Sequence, residues 1–260
     1  MEKITAIILA LNEEARIASA IESVRPIADE IIVVDSLSTD ATVEIAGRMG
    51  CRVESRKFTG FGAQRQYATS LARNRYVMFI DADEIVTPAL QESIKKLFAD
   101  KPAHRVYSIS RLNFFCQSPV KHCGWWPDNQ VRLFDKRYAT WNFHNIGERV
   151  IFPDTVTPFQ VDGEIVHHRC ATPEEYRDKL FLQAEIAAPA IAVKYPSIHP
   201  LKPSWRWLVS YLKTLIAEGG LLEGGVGRKI ASIQAGAERH KWARARQTQR
   251  NFSVSNHQEQ

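Results

Sequence analysis

Along the first eighty residues, short apolar runs alternate with segments in which apolar residues recur every three or four positions. The runs at 4–10 (ITAIILA), 30–35 (EIIVVD), 51–56 (CRVESR) and 76–81 (YVMFID) predict β-strands. Three of them are too apolar to leave a face in water. Residues 13–24, 42–49 and 62–73 predict helices, with Asn12 and Asp40 as N-caps. Strand and helix in alternation imply an α/β fold, a mostly parallel sheet flanked by helices. In such sheets ligands gather at the carboxyl ends of the strands. Those ends read LNEE, DSLSTD and DADE.

The last third has a different pattern. Residues 174–193 predict a helix, and the segment SWRWLVSYLKTLIAEGGLLEGGVGRKI follows the breaker YPSIHPLKP. It sets Trp205, Leu208, Val209, Leu212, Leu215 and Ile216 on one helical face, with Arg206, Ser210 and Lys213 elsewhere. Charges interrupt it too often for a membrane span. The change of character divides the chain into an α/β domain at 1–170 and a C-terminal helical extension at 171–260. The apolar stripe either packs on the domain or lies in the plane of a membrane, assisted by Arg239, Lys241, Arg244, Arg246 and Arg250. From Gln247 onward the sequence is polar, as in a frayed terminus.

Composition narrows the classes. With 260 residues and 45% hydrophobic content, the chain can bury a full core, and disorder throughout is excluded. A net charge of +5, without a basic block interleaved with aromatics before the last quarter, gives no expectation of nucleic acid. Cys51, Cys116, Cys123 and Cys170 are scattered and include no C-x-x-C, so reduced thiols are expected. A zinc set drawn from Cys116, His122, Cys123 and His167 is the weaker reading. The N-terminal apolar run is short and met at once by acids, which fits neither a secretory signal nor a membrane span, and a cytoplasmic location is expected.

The stretch FIDADE drives acids into the end of a buried strand. Crowded carboxylates need compensation. Asp81 and Asp83, two apart in an extended segment, point the same way. They are suited to a divalent cation whose free positions take phosphate oxygens. No G-x-G-x-x-G follows the first strand, so a dinucleotide cofactor is not expected. Asp35, at the end of the second strand, is placed either to accept from ribose hydroxyls or a base edge or to lock a strand-end turn. Asn12 and Glu13, at the end of the first, either contact the same ligand or complement a helix N-terminus.

The ordered set LNEE, VVDSLSTDAT and FGAQRQYATSLARNRYVMFIDADE is similar to the inverting family 2 glycosyltransferases with the GT-A fold. With GWWPDNQVRLF and GEIVHHRCATPEEYRDK it resembles, more narrowly, the lipopolysaccharide core β-glucosyltransferase branch, over about residues 4–180. That resemblance implies transfer of a sugar, glucose foremost, from a nucleotide-sugar donor, usually UDP-linked. It implies inversion at the anomeric carbon with Mg²⁺ or Mn²⁺ on the diphosphate. A glycolipid or oligosaccharide acceptor fits the same likeness, and the apolar stripe with the basic residues beyond it gives the expectation of a peripheral place on the inner face of the cytoplasmic membrane. Asn12, Glu13, Asp35, Arg65, Asp81 and Arg132 are then the donor-binding candidates, Arg132 alternatively pairing with an acid on the sheet edge. Asp81 and Asp83 are the metal candidates, with His167 either a third ligand or a hydrogen-bonded structural residue. Inversion needs a base on the far face of the sugar, and the choices are Glu148 first and Asp128 second. The family often has His-Glu here, whereas Gly147 precedes Glu148 in this chain. Trp125 and Trp126, beside Pro127, form a candidate acceptor platform in which one ring suffices. Two other readings stand: a haloacid-dehalogenase-type phosphatase with Asp81 as nucleophile, and a non-catalytic nucleotide-sugar-binding protein.

Overall fold

The computed structural model describes residues 2–143 and 148–258, with side chains as far as residue 251. In β1 (Ile4–Ala10) successive residues enter opposite cores. Ile4, Ala6 and Ile8 pack in one core with Ile17, Ala20, Ile21 and Val24 of α1 (Ile17–Val24), whereas Ile7 lies in another with Ala68 and Ala72. Both faces of the strand are covered, which is why its sequence is an unbroken apolar run.

The chain continues through β2 (Glu30–Asp35), α2 (Thr42–Arg48), β3 (Arg52–Ser55), α3 (Phe61–Leu71), β4 (Tyr76–Asp81), β5 (Glu84–Val86) and α4 (Pro88–Phe98). There follow β6 (Val106–Phe115), β7 (Ser118–Pro119), β8 (Asn129–Asp135), β9 (Thr140–Trp141), β10 (Val150–Ile151) and β11 (Phe159–Cys170). Among the described residues one sheet has the order β3-β2-β1-β4-β8-β6-β11-β5, with β7 on β6, and β9 pairs with β10 separately. The expected α/β arrangement is present, and β3, β2, β1 and β4 are parallel. β8 then pairs antiparallel with both β4 and β6, and β5 antiparallel with β11, so the sheet is mixed.

Two cap expectations need correction. α1 begins at Ile17 rather than residue 13, because residues 13–16 form a turn in which the N–H groups of Arg16 and Ile17 donate to the Glu13 carbonyl. Asn12, at φ 53°, caps no helix: its N–H donates to Ser38 Oγ and its Oδ1 accepts from Thr39 N–H, tying the loop after β1 to the loop after β2. Asp40 does serve the start of α2, its Oδ1 accepting from Thr42 N–H one residue ahead of the cap position.

The chain forms two compact units, Met1–Leu112 with Pro127–His167, and Asn113–Trp126 with His168–Gln260. The division falls within β6 and β11. In the second unit are α5 (Pro173–Lys194), α6 (Lys202–Leu212), a π turn (Lys213–Ala217), a 3₁₀ turn (Gly220–Glu223) and α7 (Gly224–Gln258). Thr172 caps α5 by accepting from Glu175 N–H, with Pro173 in the first turn. Residues 113–126 belong to this unit, so it does not begin at residue 171 as the change of sequence pattern suggests. Phe115, Val120, Cys123 and Trp125 share a core with Cys170, Tyr176 and Ile230. A smaller core joins Ala188, Ala192 and Ile198 to Trp242 and Ala245. α6 turns buried Pro203 inward, Arg206 pairs with Glu238 of α7, and Thr214 beyond it bonds to Gln234. On the opposite side Trp205, Leu208, Leu212 and Ile216 are exposed, Trp205 by 59% and Ile216 by 63%. Among the described residues no helix is long and apolar enough to cross a membrane.

Candidate active site

β4 ends at Asp81, residues 82–83 form a turn, and Glu84 opens β5. The alternation that would aim Asp81 and Asp83 the same way therefore stops at Asp81. Glu84 closes the turn: its Oε2 accepts the Asp81 N–H at 2.9 Å, and the residue has no exposed surface. Its other oxygen accepts from Arg132 of β8 at 2.6 Å and Arg111 of β6 at 3.1 Å. Arg132 also reaches Asp81 Oδ2 at 3.3 Å, and Arg65 of α3 donates to Asp81 Oδ1 at 2.9 Å. Arg111 extends the chain of charges to Asp128 at 2.7 Å, and Arg65 Nε lies 3.6 Å from Glu148. Three guanidinium groups thus compensate the acids at this strand end. Desolvation opposes the charge on Asp81, but Arg65, then Arg132, Arg111 and His167, outweigh it and hold its carboxyl well below the usual range. Desolvation likewise works against Arg132, and Glu84 and Asp81 reverse it, raising the guanidinium pKa.

Arg65, Asp81, Arg111, Arg132, Trp141 and Glu148 border a cavity of about 350 Å³. The Arg65 side chain lies over the Trp141 ring at 4.8 Å. Arg65 Nε and one of its terminal nitrogens, Arg132 Nε and Trp141 Nε1 are buried without a hydrogen-bond partner among the described residues. Buried N–H groups are costly to leave unpaired. Donors left over at the carboxyl end of a parallel strand are suited to a ligand rich in acceptor oxygens.

Asp35 and Asp81 flank the end of β1, where Ala10 pairs with Asp35 and Leu9 with Asp81. Asp35 is 1% exposed, and its carboxylate accepts the N–H groups of Leu37 and Ser38 and the Ser38 hydroxyl, locking a turn that holds Leu37 at φ 69°. Glu13 donates its N–H to Thr42 Oγ1 and pairs with Arg16. Asn12, Glu13 and Asp35 fix the loops after β1 and β2 through these contacts. Arg65, Asp81, Arg132, Glu148 and Asp128 are brought into one charged cluster. The sequence reading missed Glu84 as its buried hub, and it missed Arg111 and Trp141. The available signals were Glu84 itself, the last of the crowded acids in FIDADE, and Arg111, a charge inside the otherwise strand-like VYSISRLNFF.

Trp125 lies in the second unit and is buried, with Tyr176 edge-on at 5.4 Å and Arg169 over it at 4.8 Å. A ring enclosed in a core has no face for a sugar, which corrects its assignment to the acceptor platform. Trp126 is half-buried with Lys121 5.6 Å from its ring centre.

Of the expected metal candidates, Asp83 and His167 lie together, Oδ2 and Nε2 3.4 Å apart. Both carboxylate oxygens of Asp81 accept from guanidinium groups, Oδ1 from Arg65 and Oδ2 from Arg132. Among the described residues no group of three or more His, Cys, Asp or Glu side chains is arranged to hold a metal. One carboxylate and one imidazole nevertheless fit a cation that takes its other positions from phosphate oxygens and water, as Mg²⁺ does.

A family model described as Glycosyl transferase family 2 matches residues 5–171. An uncharacterized glycosyltransferase of Rickettsia felis is 42% identical over 143 residues, 54% of this chain and 50% of that protein. The lipopolysaccharide core biosynthesis glycosyltransferase LpsC of Rhizobium meliloti is 35% identical over 101 residues, 37% of each. The chain spans about half the length of the first of these relatives and less of the second. Glucosyl-3-phosphoglycerate synthase from Mycobacterium tuberculosis, solved with Mn²⁺, uridine diphosphate and glucosyl-3-phosphoglycerate, matches with a TM-score of 0.37 at 28% identity over 44% of each chain.

Proposed function

This chain belongs to glycosyl transferase family 2, and on that premise we propose that it moves a hexose, glucose foremost, from a UDP-linked donor to a glycolipid or lipopolysaccharide core acceptor, with inversion. The observation that carries this reading is the convergence of Arg65, Arg132 and Glu148 on one cavity, with guanidinium N–H groups left unpaired. Arg65 and Arg132 would hold diphosphate oxygens and stabilise the charge that develops as the C1–O bond to phosphate breaks. Glu148 takes the proton from the acceptor hydroxyl as its oxygen bonds to C1. It suits that role better than Asp128, which is bound to Arg111 and Gln130 at 2.7 Å each, whereas the contact of Glu148 with Arg65 is a loose 3.6 Å. Asp83 and His167 would hold Mg²⁺ or Mn²⁺, which when bound adds positive charge at the diphosphate. The name of the Rhizobium relative supports a lipopolysaccharide acceptor, and the exposed apolar side of α6 supports a peripheral place on the inner face of the cytoplasmic membrane. Phosphatase chemistry with Asp81 as nucleophile is not favoured, since both its oxygens face arginines.

A panel of nucleotide sugars with Mn²⁺, scored by nucleotide release, tests the reading: release from one donor is expected, and hydrolysis of simple phosphomonoesters instead would overturn it. Glu148→Gln should lower turnover by about two to four orders of magnitude while donor binding survives. Near-normal turnover moves the role to Asp128. Asp83→Ala should abolish the metal dependence of donor binding in calorimetry. Unchanged Mn²⁺ dependence would remove Asp83 from the metal site.

A further inference from the structure

The second unit has a charge balance that the whole-chain figure hides: it contains 15 Lys and Arg against 8 Asp and Glu, while the first unit has 19 against 21. Much of that positive charge is paired. Arg206 and Lys241 meet Glu238, Arg244 meets Glu185, and Lys213 meets Glu218. Arg239, Arg246 and Arg250 differ. They recur at i, i+7 and i+11 along α7 and so share one face with Ala243 at i+4. With Pro203 and Ser204 from the start of α6 they border a cavity of about 440 Å³, and no carboxylate lines it. Among the described residues none of the three has an ion-pair partner. Three guanidinium groups around one cleft repel each other unless an anion joins them, and phosphate matches their forked donors. α6, which supplies one wall, also bears with its flanking turns the exposed apolar row of Leu201, Trp205, Leu208, Leu212 and Ile216, and Leu221 and Leu222 beyond it are exposed as well. That row lies opposite the side of α6 that packs on α7. An apolar row beside an arginine cleft is complementary to one kind of surface, an anionic bilayer in which phosphate lies just outside the acyl chains.

We propose that α6 and the adjoining face of α7 form a lipid-docking surface, in which Arg239, Arg246 and Arg250 grip the phosphate of a phospholipid headgroup while Trp205, Leu208, Leu212 and Ile216 enter the acyl boundary. This deepens the membrane part of the function proposed above and is independent of the transfer chemistry.

Sedimentation of the full chain with phosphatidylcholine vesicles, with and without phosphatidylglycerol, tests the assignment. The protein is expected to bind the anionic vesicles. Replacing all three arginines by Gln should weaken that binding at least about tenfold. Removing equal charge elsewhere in the unit, with Lys194→Gln, Arg228→Gln and Lys229→Gln, should weaken it much less. Leu208→Ser with Leu212→Ser should abolish the part of the binding that survives high salt. Arg246→Gln alone serves if the triple variant does not fold. Nucleotide release from the donor, measured without vesicles, should be unchanged in all these variants, so a failure of docking is separable from a failure of the transferase reading. Equal loss in the two triple variants would overturn the cleft. Displacement from vesicles by inorganic phosphate, but not by chloride at the same ionic strength, would show that the cleft takes free phosphate rather than lipid. Absence of binding to anionic vesicles at low salt would overturn the proposal altogether.

Discussion

Glu84 places a carboxylate in the interior between Arg111 and Arg132, residues 27 and 48 positions further along the chain. Breaking a buried charge pair strands the remaining charge and typically costs about 3–5 kcal/mol. Glu84→Gln is therefore expected to lower stability by about that amount in urea denaturation, with two guanidinium groups losing their common partner. Asp81 gives a different signature. Its carboxyl is held below the usual range in the folded state, so its contribution is complete above the ordinary carboxylate pKa of about 4 and is lost as pH falls towards the folded value. The stability difference between the parent and Asp81→Asn should be flat above about pH 5 and shrink below about pH 4. A difference that grew in acid would contradict the arginine environment. At this scale Asp81 stood out in the sequence because an acid ending an apolar strand is a local pattern, whereas Arg65 and Arg132, from α3 and β8, were singled out only through the family resemblance. The sequence could not reveal Glu84 as a hub, since long-range pairing leaves no periodicity.

Among the elements, three of the four parallel strands, β1, β2 and β4, were legible because burial on both faces writes an uninterrupted apolar run, whereas β3 (RVES) is only partly buried and fits by its place in the alternation. β6 was not, since Ser108, Ser110, Arg111 and Asn113 interrupt it, and Arg111 is there to serve the charged cluster. The turn at residues 82–83 was also hidden, as an apolar run ending in acids looks alike whether the strand continues or stops. Gly163 of β11 shows how closely α4 is packed: at φ 99° it would place a Cβ 2.6 Å from the backbone of Leu90. Gly163→Ala is expected to destabilise by about 1–3 kcal/mol or more. Gly47, inside α2 with nothing within 4 Å of its Cβ position, is the contrasting case, and Gly47→Ala should stabilise by about 0.5–1 kcal/mol. Chemical denaturation of the two variants checks the pair. Equal effects would show that β11 and α4 can separate at little cost.

For the molecule as a whole, the mild net charge of +5 concealed a first unit with a small acidic excess and a strongly basic second one. Charge exposed on the second unit should respond to salt, since screening shortens to roughly 10 Å at 0.1 M ionic strength. Vesicle binding is accordingly expected to fall steeply with added salt and to level off at a residue due to the apolar side of α6. A salt-independent isotherm would assign binding to the apolar row alone. The two-part character of the chain was legible from the change in pattern near residue 170. The membership of residues 113–126 was not, because Phe115 and Trp125 belong with Tyr176 and Ile230 only after folding.

Both cores of that second unit are completed from α7, by Ile230 in one and by Trp242 and Ala245 in the other. Ile230 comes 115 residues after Phe115 in order of synthesis. At about 5–20 residues per second, a growing chain holds Phe115 without its last partner for on the order of 6–23 seconds, and Tyr176, 54 residues before Ile230, for about 3–11 seconds. The strands of the first unit have all been made by residue 167, well before that interval closes. During translation the aromatic cluster is therefore expected to be a target for holdase chaperones, and the yield of soluble protein should depend on how quickly the ribosome reaches α7.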